Sequence, residues 1–180
     1  MTRPCSVRLG RVVCTVVALF CLAGIALPAR AQLETRITTP LLNAQYGALV
    51  VGDFNHDGKM DVVAVATDVQ IFLGSGDGTF QTPIDYVVGE DPNSVAVADF
   101  NGDGNLDLAV TNVLSSTVSI LLGNGDGTFQ PPTTLNISTS PFGIAAADFN
   151  DDGKPDLIFQ NDGFISVFLN NGDATFRGPN

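Results

Sequence analysis

The sequence predicts an all-β fold of three four-stranded antiparallel propeller-type blades, a partial or open propeller. Two recurrences and one strand pattern predict it. A nine-residue segment occurs as Asp53 to Asp61 (DFNHDGKMD), Asp99 to Asp107 (DFNGDGNLD) and Asp148 to Asp156 (DFNDDGKPD), at spacings of 46 and 49 residues. A second segment follows each of these, as Leu73 to Phe80 (LGSGDGTF), Leu122 to Phe129 (LGNGDGTF) and Leu169 to Phe176 (LNNGDATF). A period of about 40 to 50 residues belongs to propeller blades or solenoid arrays. Within one period the short apolar runs Ser94 to Ala98, Leu108 to Asn112, Thr117 to Leu122 and Pro132 to Ile137 read as strands, separated by Gly, Asn and Asp turns. No stretch shows helical periodicity. Four short antiparallel strands per period make one blade.

Taken in chain order, residues 1–31 read as a signal peptide. Arg3, Arg8 and Arg11 precede an apolar run from Val12 to Leu27 that ends in Ala29-Arg30-Ala31, and the run is shorter than the roughly 20 residues a bilayer-spanning helix needs. Residues 32–44 are expected to hold an N-terminal strand that belongs to no blade of its own. Blade repeats are expected over 45–90, 91–139 and 140–180, the third lacking its outer strand. The nine-residue loop joins the first strand of a blade to the second, and the Gly-Asp-Gly turn joins the third to the fourth. Antiparallel meandering puts both connections at one end of the array, with second-to-third turns at the other. The offset from the first loop Asp to the Gly of the second segment varies between repeats (Asp53 to Gly76, Asp99 to Gly125, Asp148 to Gly172), which places the insertions in the second-to-third turn.

All three cysteines, Cys5, Cys14 and Cys21, lie in the leader, so no disulfide can hold the remaining 149 residues. Removing the leader leaves 19 acids against Arg36, Lys59, Lys154 and Arg177, a net charge of −15. Nucleic acid and anionic membrane surfaces are excluded as natural partners on that charge. Nine of the 19 acids sit at positions 1, 5 and 9 of the three loops, so the acidity is concentrated where a cation could be held.

Each loop offers side-chain oxygens at positions 1, 3, 5 and 9 around a Gly at position 6: Asp53, Asn55, Asp57 and Asp61; Asp99, Asn101, Asp103 and Asp107; Asp148, Asn150, Asp152 and Asp156. Calcium is a hard cation that takes six to eight oxygens, and alternate Asp and Asn with a sharp glycine turn can wrap it. An EF-hand is excluded, because position 12 is Ala64, Val110 or Phe159 rather than Glu. The competing reading is an Asx-turn loop without metal, since Asp, Asn and Gly form turns in their own right. Up to three calcium ions are expected. At tenfold excess over the dissociation constant each adds about 1.4 kcal/mol, so three independent sites add roughly 4 kcal/mol.

These features resemble the FG-GAP and VCBS repeats of integrin-α-like β-propellers. The resemblance rests on the DxNxDGxxD loop, the GNGDGTF-type turn, and the Tyr46-Gly47 and Phe142-Gly143 pairs ahead of the first strand. It implies calcium in the first-to-second-strand loops, with the backbone carbonyls of Lys59, Asn105 and Lys154 added to the side-chain set. It also implies use in adhesion, carbohydrate recognition or protein interaction. Closed members have about seven blades, against three repeats here.

The second segment reads as a hairpin turn rather than a ligand set, because Asp-Gly between two strands is a strong turn signal. Phe80, Phe129 and Phe176, with Phe54, Phe100 and Phe149, read as packing between blades. Catalysis has little to stand on: the one histidine is His56, at the outward fourth position of a loop, and no acid, base and nucleophile set forms around it. The expected function is therefore a secreted (extracellular or periplasmic), non-catalytic module with structural calcium, binding a glycan or an extracellular protein. A subunit or fragment of a larger propeller assembly is the alternative, and three open blades admit a homodimer closing six. A polysaccharide lyase or hydrolase would have to use Asp68, Glu90, Asp91 and Asp162 at the opposite end, and Tyr46 and Tyr86 are the only tyrosines for a sugar-stacking site.

Overall fold

A computed structural model describes residues 47–178 of the chain. The expected signal peptide, the expected strand over 32–44 and Tyr46 lie outside the described residues. Twelve strands form three antiparallel sheets, and no helix occurs among the described residues. The first sheet is β1 (Leu49–Gly52), β2 (Asp61–Val65), β3 (Val69–Phe72) and β4 (Ile84–Tyr86), paired in that order. The second is β5 (Pro92–Ala98), β6 (Asp107–Asn112), β7 (Thr117–Leu121) and β8 (Thr133–Asn136). The third is β9 (Pro141–Ala147), β10 (Asp156–Asn161), β11 (Phe164–Asn170) and β12 (Phe176–Arg177). The chain is thus all-β with three meandering sheets, none closed into a barrel.

Period-two alternation assigns the faces. Leu108 and Val110 of β6 and Leu121 of β7 turn one way and join Val63, Val65, Val69 and Ile71 of the first sheet in one core cluster, with Phe54 and Phe129. Ala109, Val118 and Ile120 turn the other way and join Leu157 and Phe159 of the third sheet in a second cluster, with Phe100. Every residue of β6 and β7 is buried, because the middle sheet is covered on both faces. The β-branched and aliphatic runs in these strands are continuous for that reason.

Length differences between repeats are shared between the second-to-third turn and the two strands it joins, β6 and β10 being longer than β2, and β7 and β11 longer than β3. Those turns hold three residues between β2 and β3, four between β6 and β7, and two between β10 and β11. The two-residue turn is Asp162-Gly163, with φ of 37° and 85°, the positive pair that a type I′ hairpin needs to match strand twist.

The third repeat does not lack its outer strand. Phe176 pairs with Asn170 and Arg177 with Leu169, and these positions match the bridges Gly74 to Phe80 and Gly123 to Phe129 in the other two repeats. The Asp173-Ala174-Thr175 turn closes as its counterparts do, with the Asp173 carboxylate accepting the Thr175 N–H at 3.0 Å, so the returning strand meets β11 at once. In the first two repeats β4 and β8 continue this strand further along the sheet.

Phe100 is fully buried between the second and third sheets, its ring edge-on to Phe176 at 5.6 Å. Phe100→Ala is expected to destabilise the fold by about 3–5 kcal/mol. Leu114→Ala, at an exposed turn residue, is expected to stay within about 0.5 kcal/mol. Urea denaturation of both variants checks the pair.

Candidate metal centres

The three loops between the first and second strands fold alike because their side chains satisfy their own backbone. In the first, Asp53 Oδ1 and Asn55 Oδ1 both accept the Asp57 N–H, each at 3.1 Å, and Asp53 Oδ2 accepts the Gly58 N–H at 2.9 Å. Asp57 Oδ1 accepts the Lys59 N–H at 2.9 Å. The second loop repeats this, with Asp99 and Asn101 on the Asp103 N–H at 3.2 and 3.0 Å and Asp103 on the Asn105 N–H at 2.8 Å. So does the third, with Asp148 and Asn150 on the Asp152 N–H at 3.2 and 3.0 Å and Asp152 on the Lys154 N–H at 3.0 Å. The sixth-position glycines Gly58, Gly104 and Gly153 have φ of 79°, 88° and 82°, a conformation that costs other residues steric strain. The fourth position is also left-handed, at 57° for His56, 76° for Gly102 and 58° for Asp151.

The electrostatics follow from these bonds. The Lys59 N–H holds the Asp57 carboxyl below its ordinary range, the Asn105 N–H does the same for Asp103, and the Gly153 N–H for Asp148. Lys59 Nζ lies 3.1 Å and Lys154 Nζ 3.7 Å from the fifth-position carboxylates Asp57 and Asp152. Both pairs are exposed and add little stability.

Position 9 does something different. Asp61, Asp107 and Asp156 are fully buried. Asp61 accepts the Phe54 N–H at 2.9 Å and the Gly74 N–H at 2.7 Å. Asp107 accepts those of Phe100 at 2.9 Å and Gly123 at 2.8 Å, and Asp156 those of Phe149 at 3.0 Å and Asn170 at 2.8 Å. Each carboxylate therefore fastens the start of the loop to the end of the third strand. Burial pushes the Asp107 carboxyl up, against the two amides that pull it down. The side-chain oxygens of positions 1, 3 and 5 gather at the loop mouth, whereas both ninth-position oxygens are held on backbone amides. Among the described residues no group of three or more His, Cys, Asp or Glu side chains converges as a metal site. Each mouth presents two carboxylates and one asparagine oxygen.

Asp77, Asp126 and Asp173 are turn residues. Each accepts both the N–H and the hydroxyl of the Thr two residues on, and the Thr hydroxyl lowers each carboxyl's pKa. His56 Nε2 lies 3.0 Å from Asn105 Oδ1, tying the first loop to the second. Tyr86 is a contact between blades: its hydroxyl accepts the Phe129 N–H at 2.8 Å and its ring stands edge-on to Phe129 at 5.7 Å. Asp68, Glu90 and Asp91 lie at the opposite end, where their backbone carbonyls accept N–H groups of Ala66, Leu114 and Val113.

Sequence comparison matches this architecture to the FG-GAP-like repeat, in three consecutive copies over residues 53–110, 99–159 and 148–180, each beginning at the first Asp of a loop. The chain belongs to the FG-GAP-like repeat family. No curated protein matches the chain. Among solved structures this FG-GAP-like chain is similar to an Agrocybe aegerita lectin described as recognising non-reducing terminal N-acetylglucosamine, at 23% identity and a TM-score of 0.52, covering 72% of this chain and 36% of the lectin. The chain thus spans about a third of the lectin's length, and at that identity the likeness is one of fold. A match to the Photorhabdus luminescens Tc holotoxin pore has a TM-score of 0.46 at 23% identity and covers 79% of this chain and 7% of that one.

Asp107→Ala strands two buried amides and is expected to cost roughly 2–4 kcal/mol, with Asp107→Asn, which keeps one acceptor, costing less. Urea titration checks the order. The depressed carboxyls give a pH dependence whose sign is fixed. A lowered folded-state pKa contributes stability above the ordinary value of 3.8 that is lost as pH falls through the folded value. The raised Asp107 opposes this alone, its contribution being largest below 3.8 and lost as pH rises through its folded value. Thermal melts are expected to drop as pH falls below 3.8, less steeply in Asp126→Asn.

Proposed function

We propose that the chain is a secreted, non-catalytic calcium-binding module that captures a glycan or an extracellular protein through the end of the array opposite its loops. The observation that carries the calcium part is the thrice-repeated convergence of a first-position carboxylate and a third-position asparagine oxygen on one backbone N–H. The donors at each mouth are all oxygens, the set a hard cation takes. Asp53, Asn55 and Asp57 would hold the ion in the first loop with the Lys59 carbonyl; Asp99, Asn101, Asp103 and the Asn105 carbonyl in the second; Asp148, Asn150, Asp152 and the Lys154 carbonyl in the third. A bound ion supplies positive charge between carboxylates that otherwise repel. The ninth-position acids Asp61, Asp107 and Asp156 complete the three sets, each oxygen keeping a second lone pair beside the backbone amide it accepts.

Capture at the opposite end rests on turn variation. Turns of three, four and two residues there differ in length and sequence, while the loop end is nearly identical in all three repeats, and variable turns on a rigid frame are where specificity is placed. The shared fold with a lectin supports a glycan as the first class to test. A non-catalytic role is supported by the engagement of His56 with Asn105 and by the commitment of the paired carboxylates to loop backbone.

Calorimetry is expected to count three calcium ions on the leaderless chain and two on Asp99→Ala, with chelation lowering the melting temperature. Absence of calcium heat, with a melting temperature indifferent to chelator, would remove the calcium part. A glycan array including N-acetylglucosamine-terminated chains, read with and without Leu114→Asp at the four-residue turn, tests capture. Binding unaffected by that change and by changes at Asp68 and Asp162 would move the site elsewhere.

A further inference from the structure

We infer that the two end blades are complementary halves of one interface, and that two copies of this chain join head to tail through them into a six-bladed ring. The inference rests on the repeat and not on calcium. Between the first and second sheets, the Gly127 N–H of the third-to-fourth-strand turn donates to the Phe54 carbonyl at 3.0 Å, and Phe129 packs on Phe54 at 5.8 Å. Between the second and third sheets, the Ala174 N–H donates to the Phe100 carbonyl at 3.0 Å, and Phe176 packs on Phe100 at 5.6 Å. One rule describes both: the turn of a following blade donates to, and lays its Phe against, the loop Phe of the preceding blade.

By the same rule the third blade presents an acceptor, the Phe149 carbonyl and ring, and the first blade presents a donor, Gly78 N–H and Phe80. The described residues place these halves at opposite ends of the array. Their exposure shows that each half is unmade: Phe149 is 46% exposed where Phe54 and Phe100 are 3% and 0%, and Phe80 is 37% exposed where Phe129 is 6%. The sheet faces behind them agree. Ile165 is exposed where its counterpart Val118 is buried in the second cluster, and Leu49 is exposed where Val95 is buried in the first. Met60, Gly78 and Phe80 line an open cleft at the donor end.

The occupant is a second copy, because it carries the mating half already used twice within the chain. A heterologous contact of this kind generates either a closed ring or an open filament. Propellers close with about four to eight blades, and the three sheets of each of two copies make six, a ring held by two identical contacts.

Sedimentation equilibrium of the leaderless chain is expected to give twice the chain mass. Phe80→Asp and Phe149→Asp each spoil both contacts of their own dimer and are expected to sediment as monomers. Mixed together they are expected to recover a two-chain species, since Phe80 of one meets Phe149 of the other in one intact contact. Leu49→Asp and Ile165→Asp, exposed on the same two faces, repeat the experiment without touching a phenylalanine, and far-UV circular dichroism confirms that each variant is folded. A monomeric native chain, an open polymer, a dimer that survives Phe80→Asp, or a mixture that stays monomeric would each overturn the inference.

Discussion

The constraint on which the rest of the structure depends is the buried ninth carboxylate of each repeat. Asp61, Asp107 and Asp156 sit at the first residue of β2, β6 and β10, inside the fold, where an ionised group is costly unless it is hydrogen-bonded. Each meets that condition with two backbone amides, one from the second residue of its own loop and one from the end of the third strand. Hydrogen bonds to a charged group are worth about 1.5–3 kcal/mol each before the cost of burial. The anchored amide belongs to Phe54, Phe100 or Phe149, so the carboxylate also decides where that ring stands. The rings of Phe54 and Phe100 in turn receive the Phe of the next blade. One buried acid thereby sets the loop, the strand end and the contact between blades.

The glycine-turn loop above this anchor is a separate layer. Its Asp and Asn oxygens fold inward onto loop N–H groups, and those N–H groups hold the Asp57, Asp103 and Asp148 carboxyls below their ordinary range by favouring the charged form. Loop shape and blade docking are thus held by different acids of one nine-residue motif. The repeated motif lies at one end of the array, and the turns that differ in length lie at the other.

Much of the fold was legible. The strands predicted from the middle repeat differ from β5 to β8 by one or two residues at their ends, because alternation and turn residues there agree with tertiary burial. The reading of Asp77, Asp126 and Asp173 as turn residues follows from Asp-Gly chemistry that needs no long-range contact. The anchoring role of the ninth Asp was not legible, because spacing within the loop does not show that its carboxylate also reaches the amide of Gly74, 13 residues away. The same limit hid the role of Tyr86 between blades, whose partner Phe129 is 43 residues distant. Six phenylalanines were expected to pack between blades, and Phe80 and Phe149 do not within the described chain, since periodicity gives a repeat its contacts but not its neighbours. The outer strand of the third repeat was missed because its pairing begins inside the turn motif itself.

Native-state hydrogen exchange at single amides tests the central claim most directly. If buried carboxylates anchor each repeat, the N–H groups of Phe54, Gly74, Phe100 and Gly123 exchange with the slowest, globally protected set, and do so equally in calcium and in chelator. Fast exchange at these four while the amides of β6 and β7 stay protected would contradict it.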